Sequence, residues 1–441
     1  MLLIYTPQLS NRLKYIFSFI FDNFLYNNYQ ITDDIDFFNN YTQAKFYYQP
    51  NPAPNQSAPY LQAANLLFEN DIRPIPTAFC DYNVENTPYQ LLFPAQSAQS
   101  LLTYDIFALC FLFLSRYEEY LPYVPDAHGR FSALNSLAHQ NNYLHLPLIH
   151  ILTADFIQKL NYLYPQLEYK KPAYQFLPSY DIDYMRAFEG KGVLRQTGAL
   201  FKNLFTAHWQ LLALQLATLL KLKPDPYDTF AYLDNLHKKY NTQPYYFFLT
   251  AQWHTYDKNT PTHSPIFAQT VQQIAAAYPI GLHPSYQSNQ RINLLATEKN
   301  KLAELSQTAI IASRQHFLKL HLPATYQNLL ANGIQKDFSM GYADACGFRA
   351  ATNLPFRWYD LSQNTVTNLE IQPLLLMDVT LRDYLKLSPS QALQLCADYL
   401  QTVRRYGGNL SVLFHNNSFC ETLGWQGWRA MYEEFLAMAN Q

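Results

Sequence analysis

The sequence lacks the excess of basic residues that a protein needs in order to bind nucleic acid through its phosphates. Its 441 residues hold 31 Lys and Arg against 33 Asp and Glu, a formal net charge of −2. Because this balance would not neutralise a phosphate backbone, we expect no nucleic-acid partner. Cysteine is scarce as well. The five cysteines show no C-x-x-C spacing, which predicts reduced thiols without a disulfide framework.

Segments for export or membrane insertion are not evident. The first twelve residues, MLLIYTPQLSNR, have neither a basic n-region nor a long apolar core, so we predict no signal peptide and a cytoplasmic protein. The most apolar later run, residues 211–220, is interrupted by Gln215 and is too short to span a bilayer. A helix packed on the protein is the preferred interpretation of this run, and an amphipathic helix on a membrane surface is the alternative.

Apolar material is plentiful, with 49% hydrophobic and 16% aromatic residues. The chain is too long for one ordinary core, so we predict two domains, separated by a polar, proline-bounded stretch at residues 165–172. The predicted domains are a smaller N-terminal α/β domain of unknown role, residues 1–170, and a second domain, residues 171–441. A loop rich in Pro, Asn, Ala and Ser is predicted at residues 51–59.

In the first domain, apolar periodicity predicts a strand at residues 2–5 and helices at residues 13–26, 104–120 and 152–164. The middle helix runs into a charged cluster at residues 116–120. This cluster is either a site or a helix end whose charges are solvated or paired to the neighbouring domain, and the second interpretation is preferred.

In the second domain, strand-like and helical runs alternate, which predicts a mostly parallel sheet, either doubly wound or closed into a barrel. The predicted strands cover residues 174–181, 245–250, 278–283, 309–313, 371–377 and 410–415. The predicted helices cover residues 228–240, 266–277, 292–305 and 389–405.

Polar, chemically capable residues follow several of these predicted strands. The first strand ends in Asp181 and Asp183, whose side chains point to the same face, and a cation would hold two such like charges together. An Asp-rich turn is the alternative for this stretch alone. Because functional groups gather at the carboxyl ends of parallel strands, the later strand ends extend this set. They supply His283, Ser285, Arg314, His316, Asp378, His415 and Asn416. Asp and His together suit zinc or a similar divalent ion.

The ordered series resembles the motifs of the polysaccharide deacetylases, a carbohydrate esterase family. The matching segments are Asp181-Ile182-Asp183 and residues 281–285, 348–350 and 413–416. The whole chain is similar to a two-part subgroup from Bacteroidetes-type bacteria, in which an uncharacterised N-terminal domain precedes a deacetylase-like domain. Residues 115–120, 313–316, 337–350 and 377–378 resemble signatures of that subgroup.

The resemblance implies an α/β fold whose C-terminal part is a distorted (β/α) barrel of the NodB-like type, with fewer than eight strands. It also implies a divalent metal ion at the barrel mouth, zinc in the first place, with cobalt, nickel or manganese as alternatives. By position in the motifs, Asp181 would be the catalytic base, Arg349 would steady it and His415 would be the general acid. Asp183 and His283 would bind the metal.

The sequence departs from the family pattern at three places. Ile182 separates the two acids, so their roles could be exchanged, and Asn416 replaces the acidic neighbour of His415. The second metal-binding histidine, four residues after His283, is replaced by Gln287. We expect His316 to take its place, with Gln287, Ser288 or solvent as alternatives. Asp378 is expected to orient His415 or His316.

Substrate contacts are expected from Arg314, Tyr286, Asp337 and Asn416. For Arg314, Asp337 and Asp378, a salt-bridge network at the barrel top is an equally weighted alternative. Several aromatic residues could stack on sugar rings, although core positions are the preferred interpretation. These are Tyr286, Trp358, Tyr359, Trp425 and Trp428.

The function that follows is that of a metal-dependent carbohydrate deacetylase, a hydrolase that removes acyl groups from amide or ester bonds of an amino sugar or related carbohydrate. A sugar precursor or a lipid-linked intermediate is the expected substrate. The alternatives are a degenerate barrel that binds carbohydrate without hydrolysing it, and a deacylase of a non-sugar amide. The N-terminal domain could recognise a partner, cover the barrel mouth or form a homodimer.

Overall fold

A computed structural model describes residues 1–52 and 58–441, so the centre of the predicted loop at residues 51–59 lies outside the described residues. The chain divides into two compact units. The first comprises residues 1–175, 347–373 and 402–409, and the second comprises residues 176–346, 374–401 and 410–441. This division differs from the predicted continuous domains 1–170 and 171–441, because two later segments return to the first unit.

The first unit contains a four-stranded parallel sheet in the order β2-β1-β3-β4 and an antiparallel pair, β5 and β6. The strands are β1 (Leu2–Tyr5), β2 (Tyr29–Thr32), β3 (Lys45–Gln49), β4 (Tyr60–Gln62), β5 (Phe79–Val84) and β6 (Thr87–Leu92). The helices are α1 (Asn11–Phe24), α2 (Ile35–Asn40), α3 (Ile106–Leu114), α4 (Leu137–Gln140) and α5 (Leu148–Leu163). Helix α1 begins after Ser10, whose side chain accepts a hydrogen bond from the Leu13 amide.

The charged cluster after α3 is a buried ion-pair network. The predicted helix at 104–120 stops at Leu114, because Arg116 takes a left-handed conformation (φ 54°) and a short 3₁₀ turn follows. Arg116 pairs with Glu118 at 2.8 Å and with Glu119 at 2.7 Å, and Arg349 pairs with Glu119 at 2.6 Å. All four side chains are buried and belong to the first unit, so the charges are paired, although within one unit and not to a neighbouring domain.

The second unit contains most of β7 (Tyr174–Ile182) and is built around a parallel sheet. Its next strands are β8 (Tyr245–Leu249), β9 (Ile280–His283), β10 (Ala312–Ser313) and β11 (Lys336–Met340). The antiparallel hairpin of β12 (Phe356–Asp360) and β13 (Thr365–Pro373) belongs to the first unit. The chain then forms β14 (Leu376–Met377) and β15 (Gly408–His415). The helices are α6 (Val193–Phe205), α7 (Trp209–Leu219), α8 (Phe230–Tyr240), α9 (Pro265–Ala275), α10 (Ile292–Ser306), α11 (Ala324–Ala331), α12 (Pro389–Tyr406) and α13 (Trp428–Ala439).

The strands of the second unit lie in the order β11-β10-β9-β8-β7-β15-β14. The Leu374 amide donates to the Met340 carbonyl at the end of β11, and the Leu375 amide donates to the Ser411 carbonyl in β15. The first of these bonds joins β11 at one end of this strand order to the segment that leads into β14 at the other end, so the sheet curls back on itself. The predicted α/β class with a distorted barrel is therefore confirmed. No helix among the described residues is long and apolar enough to cross a membrane.

Candidate metal centre

The carboxyl ends of the barrel strands bring five of the predicted site residues together. Asp181 lies near the end of β7 and Asp183 directly follows it, on the same face of the extended chain. His283 is the last residue of β9, and His415 is the last residue of β15. His316 opens the short turn after β10. These residues all belong to the second unit.

Three imidazole rings converge on the carboxylate of Asp183. Its Oδ1 lies 3.1 Å from His283 Nε2, and its Oδ2 lies 3.4 Å from His316 Nε2. His415 Nε2 is 3.6 Å from the same Oδ2. The potential ligand atoms of Asp183, His283 and His316 all lie within 4.8 Å of one another. His316, the expected replacement for the missing second histidine, thus lies beside the other two candidate ligands.

The Nδ1 atom of each of these three rings contacts a carbonyl or carboxylate oxygen, which can only accept a hydrogen bond. His283 Nδ1 contacts the Arg314 carbonyl at 2.6 Å. His316 Nδ1 contacts Asp257 Oδ1 at 2.9 Å, and His415 Nδ1 contacts Asp378 Oδ1 at 2.8 Å. Each Nδ1 therefore carries a hydrogen, and each Nε2 points toward Asp183. This orientation by a carbonyl or carboxylate is typical of metal-binding histidines.

Two buried atoms of this centre have no hydrogen-bond partner among the described residues. They are Asp183 Oδ1 and His283 Nε2, which lie 3.1 Å apart without the geometry of a hydrogen bond. Buried polar atoms are seldom left unpaired, because the loss of hydration is then uncompensated. A cation bound by both atoms would satisfy them. One carboxylate and two imidazoles also form a donor set suited to a catalytic zinc ion, so these residues fit a divalent metal.

Charge favours a cation at the same place. Burial raises the pKa of Asp183, but the charges of His316 and His415 outweigh it and hold this pKa well below its usual range. Burial lowers the pKa of His316, yet the carboxylates of Asp183 and Asp257 raise it to about 9. Burial also lowers the pKa of His415, but the carboxylates, chiefly that of Asp378, raise it to about 10. The carboxylates thus attract positive charge strongly, and protons or a metal ion can supply it.

Asp181 is held by Arg314. Asp181 Oδ1 lies 2.9 Å from Arg314 Nη1, while its Oδ2 lies 3.6 Å from His283 Nε2. Arg314 also donates to Ser179 Oγ at 2.8 Å and to the Phe338 carbonyl at 3.1 Å, and both charged side chains are buried. One oxygen of Asp181 is therefore fixed, and the other faces the histidines. The roles of Asp181 as base and Asp183 as ligand stay a prediction.

Arg349 is not the arginine that steadies the base. It lies in the first unit, where it is paired with Glu119, and the arginine on Asp181 is Arg314. Arg314 is fully buried by these contacts, which corrects its expected role in substrate binding. Asp337 is buried too, since its Oδ2 accepts from the hydroxyls of Ser313 and Ser339. It stabilises the sheet instead of meeting a substrate.

Asn416 and Ser288 also have local roles. Asn416 is buried and donates to the carbonyls of Tyr184 and Tyr227, both at 2.9 Å, so it ties two loops together. The Ser288 hydroxyl is buried and donates to the Ser285 carbonyl at 2.7 Å. Among the aromatic residues considered for sugar stacking, four are buried in the cores, as preferred. They are Trp358, Tyr359, Trp425 and Trp428.

Tyr286 is half-buried and belongs to an aromatic group beside His316. Its ring lies 4.4 Å from the ring of Tyr256 and 5.2 Å from that of Phe317, measured between centroids. Phe317 directly follows His316 and has a left-handed backbone (φ 61°). Tyr256 is 42% exposed, so this group offers an aromatic surface next to the candidate ligands.

Asp257 is a site residue that sequence reasoning missed. It is buried in the loop between β8 and α9, where its Oδ1 accepts from His316 Nδ1 and from the Tyr286 amide at 3.0 Å. No site residue is predicted from the sequence at the end of the strand 245–250. The following loop carries Asp257 and Asn259, and a search extended along it would have found this acid.

A polar cavity of about 730 Å³ adjoins the centre in the second unit. Asp257, Ser285 and Glu298 line it, together with Trp253 and His254. Among the described residues, Ser285 Oγ and His254 Nδ1 are buried without a hydrogen-bond partner. Burial raises the pKa of Glu298, whose Oε2 accepts from the Ser285 amide. The volume and the polar lining suit a sugar-sized polar ligand.

Comparisons with known proteins found a family match for one part of the chain and several similar solved structures. Residues 2–165 match DUF7033, a family of unknown function. A protein assigned as a polysaccharide deacetylase from Mycobacterium smegmatis aligns with a TM-score of 0.40 and 14% identity, over 61% of this chain and 84% of that one. One assigned likewise from Pseudomonas aeruginosa PAO1 aligns with a TM-score of 0.36 and 14% identity, over 60% and 84%.

The polysaccharide deacetylase Bc1974 from Bacillus cereus aligns with a TM-score of 0.30 and 10% identity, over 61% of this chain and 88% of that one. The comparison with curated protein sequences found no match.

Proposed function

We propose that this protein is a divalent-metal-dependent hydrolase that removes an acetyl or related acyl group from an amino sugar or another carbohydrate. The observation that carries the proposal is the convergence of three oriented imidazoles on Asp183, with Asp183 Oδ1 and His283 Nε2 buried and unpaired among the described residues. The motif series supports the same assignment. We further propose that the chain belongs to the two-part subgroup that its N-terminal signatures resemble.

Asp183, His283 and His316 would hold the ion. When bound, the ion supplies Lewis acidity toward the acyl carbonyl and the attacking water. The role of these side chains is to present one carboxylate oxygen and two Nε2 lone pairs in a fixed arrangement. Asp257 and the Arg314 carbonyl keep the two rings from turning.

Asp181 and His415 would carry the protons. Asp181 Oδ2 accepts a proton from the attacking water, while Arg314 balances the charge of this buried carboxylate through Oδ1. The oxygen of that water forms the new bond to the acyl carbon. His415, kept charged by Asp378, delivers a proton from Nε2 to the leaving nitrogen or oxygen as the acyl bond breaks. The products are a carboxylic acid and the freed amine or hydroxyl.

The cavity and the aromatic group would bind the carbohydrate. Sugar rings combine polar hydroxyls with apolar C–H faces, and aromatic planes suit those faces. The unpaired polar atoms Ser285 Oγ and His254 Nδ1 are available to hydroxyl groups in the cavity. Tyr256 and Tyr286 lie at the side of the centre where a ring could stack.

Metal content and acyl release test the proposal. The purified protein is stripped with a chelator and titrated with Zn²⁺, Co²⁺, Ni²⁺ and Mn²⁺, and we expect about one ion per chain. His316→Ala, His283→Ala and Asp183→Ala should each lose it. Gln287→Ala is the matched control and should keep the ion, since this position has lost the family's histidine. A wild-type protein that takes up no ion after reconstitution would rule out the mechanism.

Acetate release from N-acetylated and O-acetylated saccharides then separates the hydrolase from its competitors. Binding of both ion and sugar without release would favour a carbohydrate-binding protein, for which the changes at Gln287 and Asn416 are the motivating observations. Release from simple amides but not from saccharides would favour a non-sugar deacylase. The proposed mechanism alone predicts that Asp181→Asn keeps the metal ion but no longer releases acetate.

A further inference from the structure

The hairpin of α6 and α7 exposes apolar side chains at regular helical spacing. Leu194, Phe201 and Phe205 stand at positions i, i+7 and i+11 along α6. Trp209, Leu216 and Leu220 repeat this spacing along α7 and the residue that follows it. At about 100° per residue, each set lies on one face of its helix. The six side chains are between 42% and 90% exposed, and we call these two sets the apolar stripes.

The same hairpin buries polar side chains. Asn203 and Gln215 are buried and joined by a hydrogen bond of 2.9 Å, and Thr218 is fully buried. Helical spacing places Asn203 and Thr218 opposite the apolar stripes of their helices. A helix pair packed in water has the reverse arrangement, so the preferred expectation of an ordinary packed helix at residues 211–220 does not describe this element. Clustered exposed apolar side chains of this kind mark a binding surface.

The charge of this segment indicates what kind of surface binds the apolar stripes. Residues 190–224 contain no Asp or Glu, although the whole chain has a net charge of −2. The basic residues of this segment are Lys191, Arg195, Lys202, Lys221 and Lys223. Lys202, Lys221 and Lys223 are exposed, whereas Lys191 and Arg195 contact other parts of the second unit. Apolar stripes accompanied by exposed basic residues are complementary to a surface with an apolar interior and an anionic rim, which is the surface of an acidic lipid bilayer. Trp209, at the start of α7, is a residue type that favours the bilayer interface.

We propose that the α6–α7 hairpin docks this protein on the surface of an anionic lipid bilayer. The hairpin is an insertion between β7 and α8, and its base is tied to the second unit by Asp225. This carboxylate accepts from the amides of Ala187, Phe188 and Glu189, at 2.7, 2.8 and 3.0 Å. Docking would therefore hold the second unit at the membrane. The inference goes beyond the proposed function, because it involves neither the metal ion nor hydrolysis.

Flotation of the full chain with lipid vesicles tests the proposal. We expect binding to phosphatidylcholine vesicles that contain one third phosphatidylglycerol, weak binding to phosphatidylcholine alone, and a decrease with salt. Phe205→Ser combined with Trp209→Ser should weaken binding roughly a hundredfold, because each lost side chain contributes about tenfold. Lys221→Glu with Lys223→Glu should weaken it by roughly tenfold or more. Tyr162→Ser, at an 86% exposed position of α5, is the matched control and should bind as the wild type does.

Three results would overturn the proposal. One is absence of binding to either kind of vesicle, and another is equal binding by the stripe variants and the control. The third is a dimer, detected by light scattering, that the Phe205 and Trp209 substitutions dissociate while vesicles are not bound, since the stripes would then cover a second copy of the chain. Leu194→Ser combined with Leu220→Ser is a second variant of the apolar stripes. It keeps the test valid if the Phe205→Ser and Trp209→Ser protein has a lower melting temperature than the wild type.

Discussion

At the scale of single residues, the three histidines of the centre differ in what holds their Nδ1 atoms. A neutral backbone carbonyl holds His283, whereas carboxylates hold His316 and His415. A carboxylate makes the ring more basic and stabilises its charged form. For His316 this strengthens a metal ligand, and for His415 it keeps an acid protonated. The same type of pair therefore serves two different chemical roles, and substitution can separate them.

Asp257→Asn and Asp378→Asn should affect different properties. Loss of the Asp257 charge should weaken Zn²⁺ affinity about 10- to 100-fold, because His316 loses basicity and orientation. Asp378→Asn should leave Zn²⁺ affinity unchanged and lower kcat by roughly a hundredfold or more, because His415 no longer holds its proton. Competition with a chelator measures affinity, acetate release measures kcat, and melting temperatures verify the fold. Equal loss of affinity in both variants would contradict the separate roles.

Arg314→Met should destabilise the second unit strongly. The substitution leaves the Asp181 carboxylate buried without its ion pair, which costs about 3–5 kcal/mol of the free energy of unfolding. Adding Asp181→Asn should recover part of this loss, because no unpaired charge then remains. Lys238→Met removes an exposed pair with Asp234 and should cost less than about 1 kcal/mol. Urea unfolding of the wild type and these three variants checks this, and similar losses for Arg314→Met and Lys238→Met would disprove the buried pairing.

At the scale of elements, local periodicity predicted the helices that pack by an ordinary apolar face. Helices α8, α9, α10 and α12 lie within about two residues of their predicted ends. Strand β11 escaped prediction because it carries Asp337, whose burial depends on Ser313 of the neighbouring strand β10. A charged residue in a short run predicts a loop unless its tertiary partner is known. The predicted strand 371–377 is divided between β13 and β14 for a similar reason, since its two parts pair in different units.

The site residues that end a strand were predictable from the sequence. Residues whose role depends on a partner in a distant segment were less predictable. Asp181, Asp183, His283 and His415 follow from strand-end position and from the motif series. Arg349 matches a motif, but its partner Glu119 lies 230 residues earlier in the chain. No local pattern reveals such a pair, and therefore none could show that Arg314 would hold Asp181. Asp257 was missed for the same reason, because a long loop separates it from β8.

Helix α5 should make folding stability sensitive to acid through His150. Burial lowers the pKa of His150 from 6.5 to about 4, while its ring contacts Thr352 Oγ1 and the Tyr406 carbonyl. The unfolded chain binds the proton more readily, so this contribution to stability is complete above pH 6.5 and is lost as pH falls toward 4. The difference corresponds to about 3 kcal/mol.

Urea unfolding of wild type and His150→Gln between pH 8 and pH 4.5 measures this contribution. The variant should be less stable at pH 8, because Thr352 and Tyr406 lose a partner, but its stability should fall less on acidification. Other groups titrate alike in both proteins, so the difference isolates His150. His139→Gln, at an exposed position of α4, is the control and should keep the wild-type slope. Parallel slopes for His150→Gln and wild type would show that another group is responsible.

At the scale of the whole molecule, named contacts connect the hairpin surface with the candidate metal centre. Arg195 of α6 lies over the ring of Trp253, 5.8 Å from its centroid. Trp253 lines the polar cavity together with Asp257, which in turn holds His316. All of these residues belong to the second unit. If the hairpin rests on a bilayer, a carbohydrate attached to a lipid is delivered close to this cavity, and its effective concentration there rises.

The two proposals together predict that the hairpin matters for a lipid-linked substrate and not for a free one. Phe205→Ser with Trp209→Ser should release acetate from a short soluble N-acetylated sugar at the wild-type rate. With the same sugar attached to a lipid in anionic vesicles, its rate should fall roughly 10- to 100-fold, because the local concentration is lost. Equal losses on both substrates would place the hairpin in the catalytic fold itself. If the double variant kept the wild-type rate on both the soluble and the lipid-linked sugar, membrane docking would serve a purpose other than delivery of the substrate.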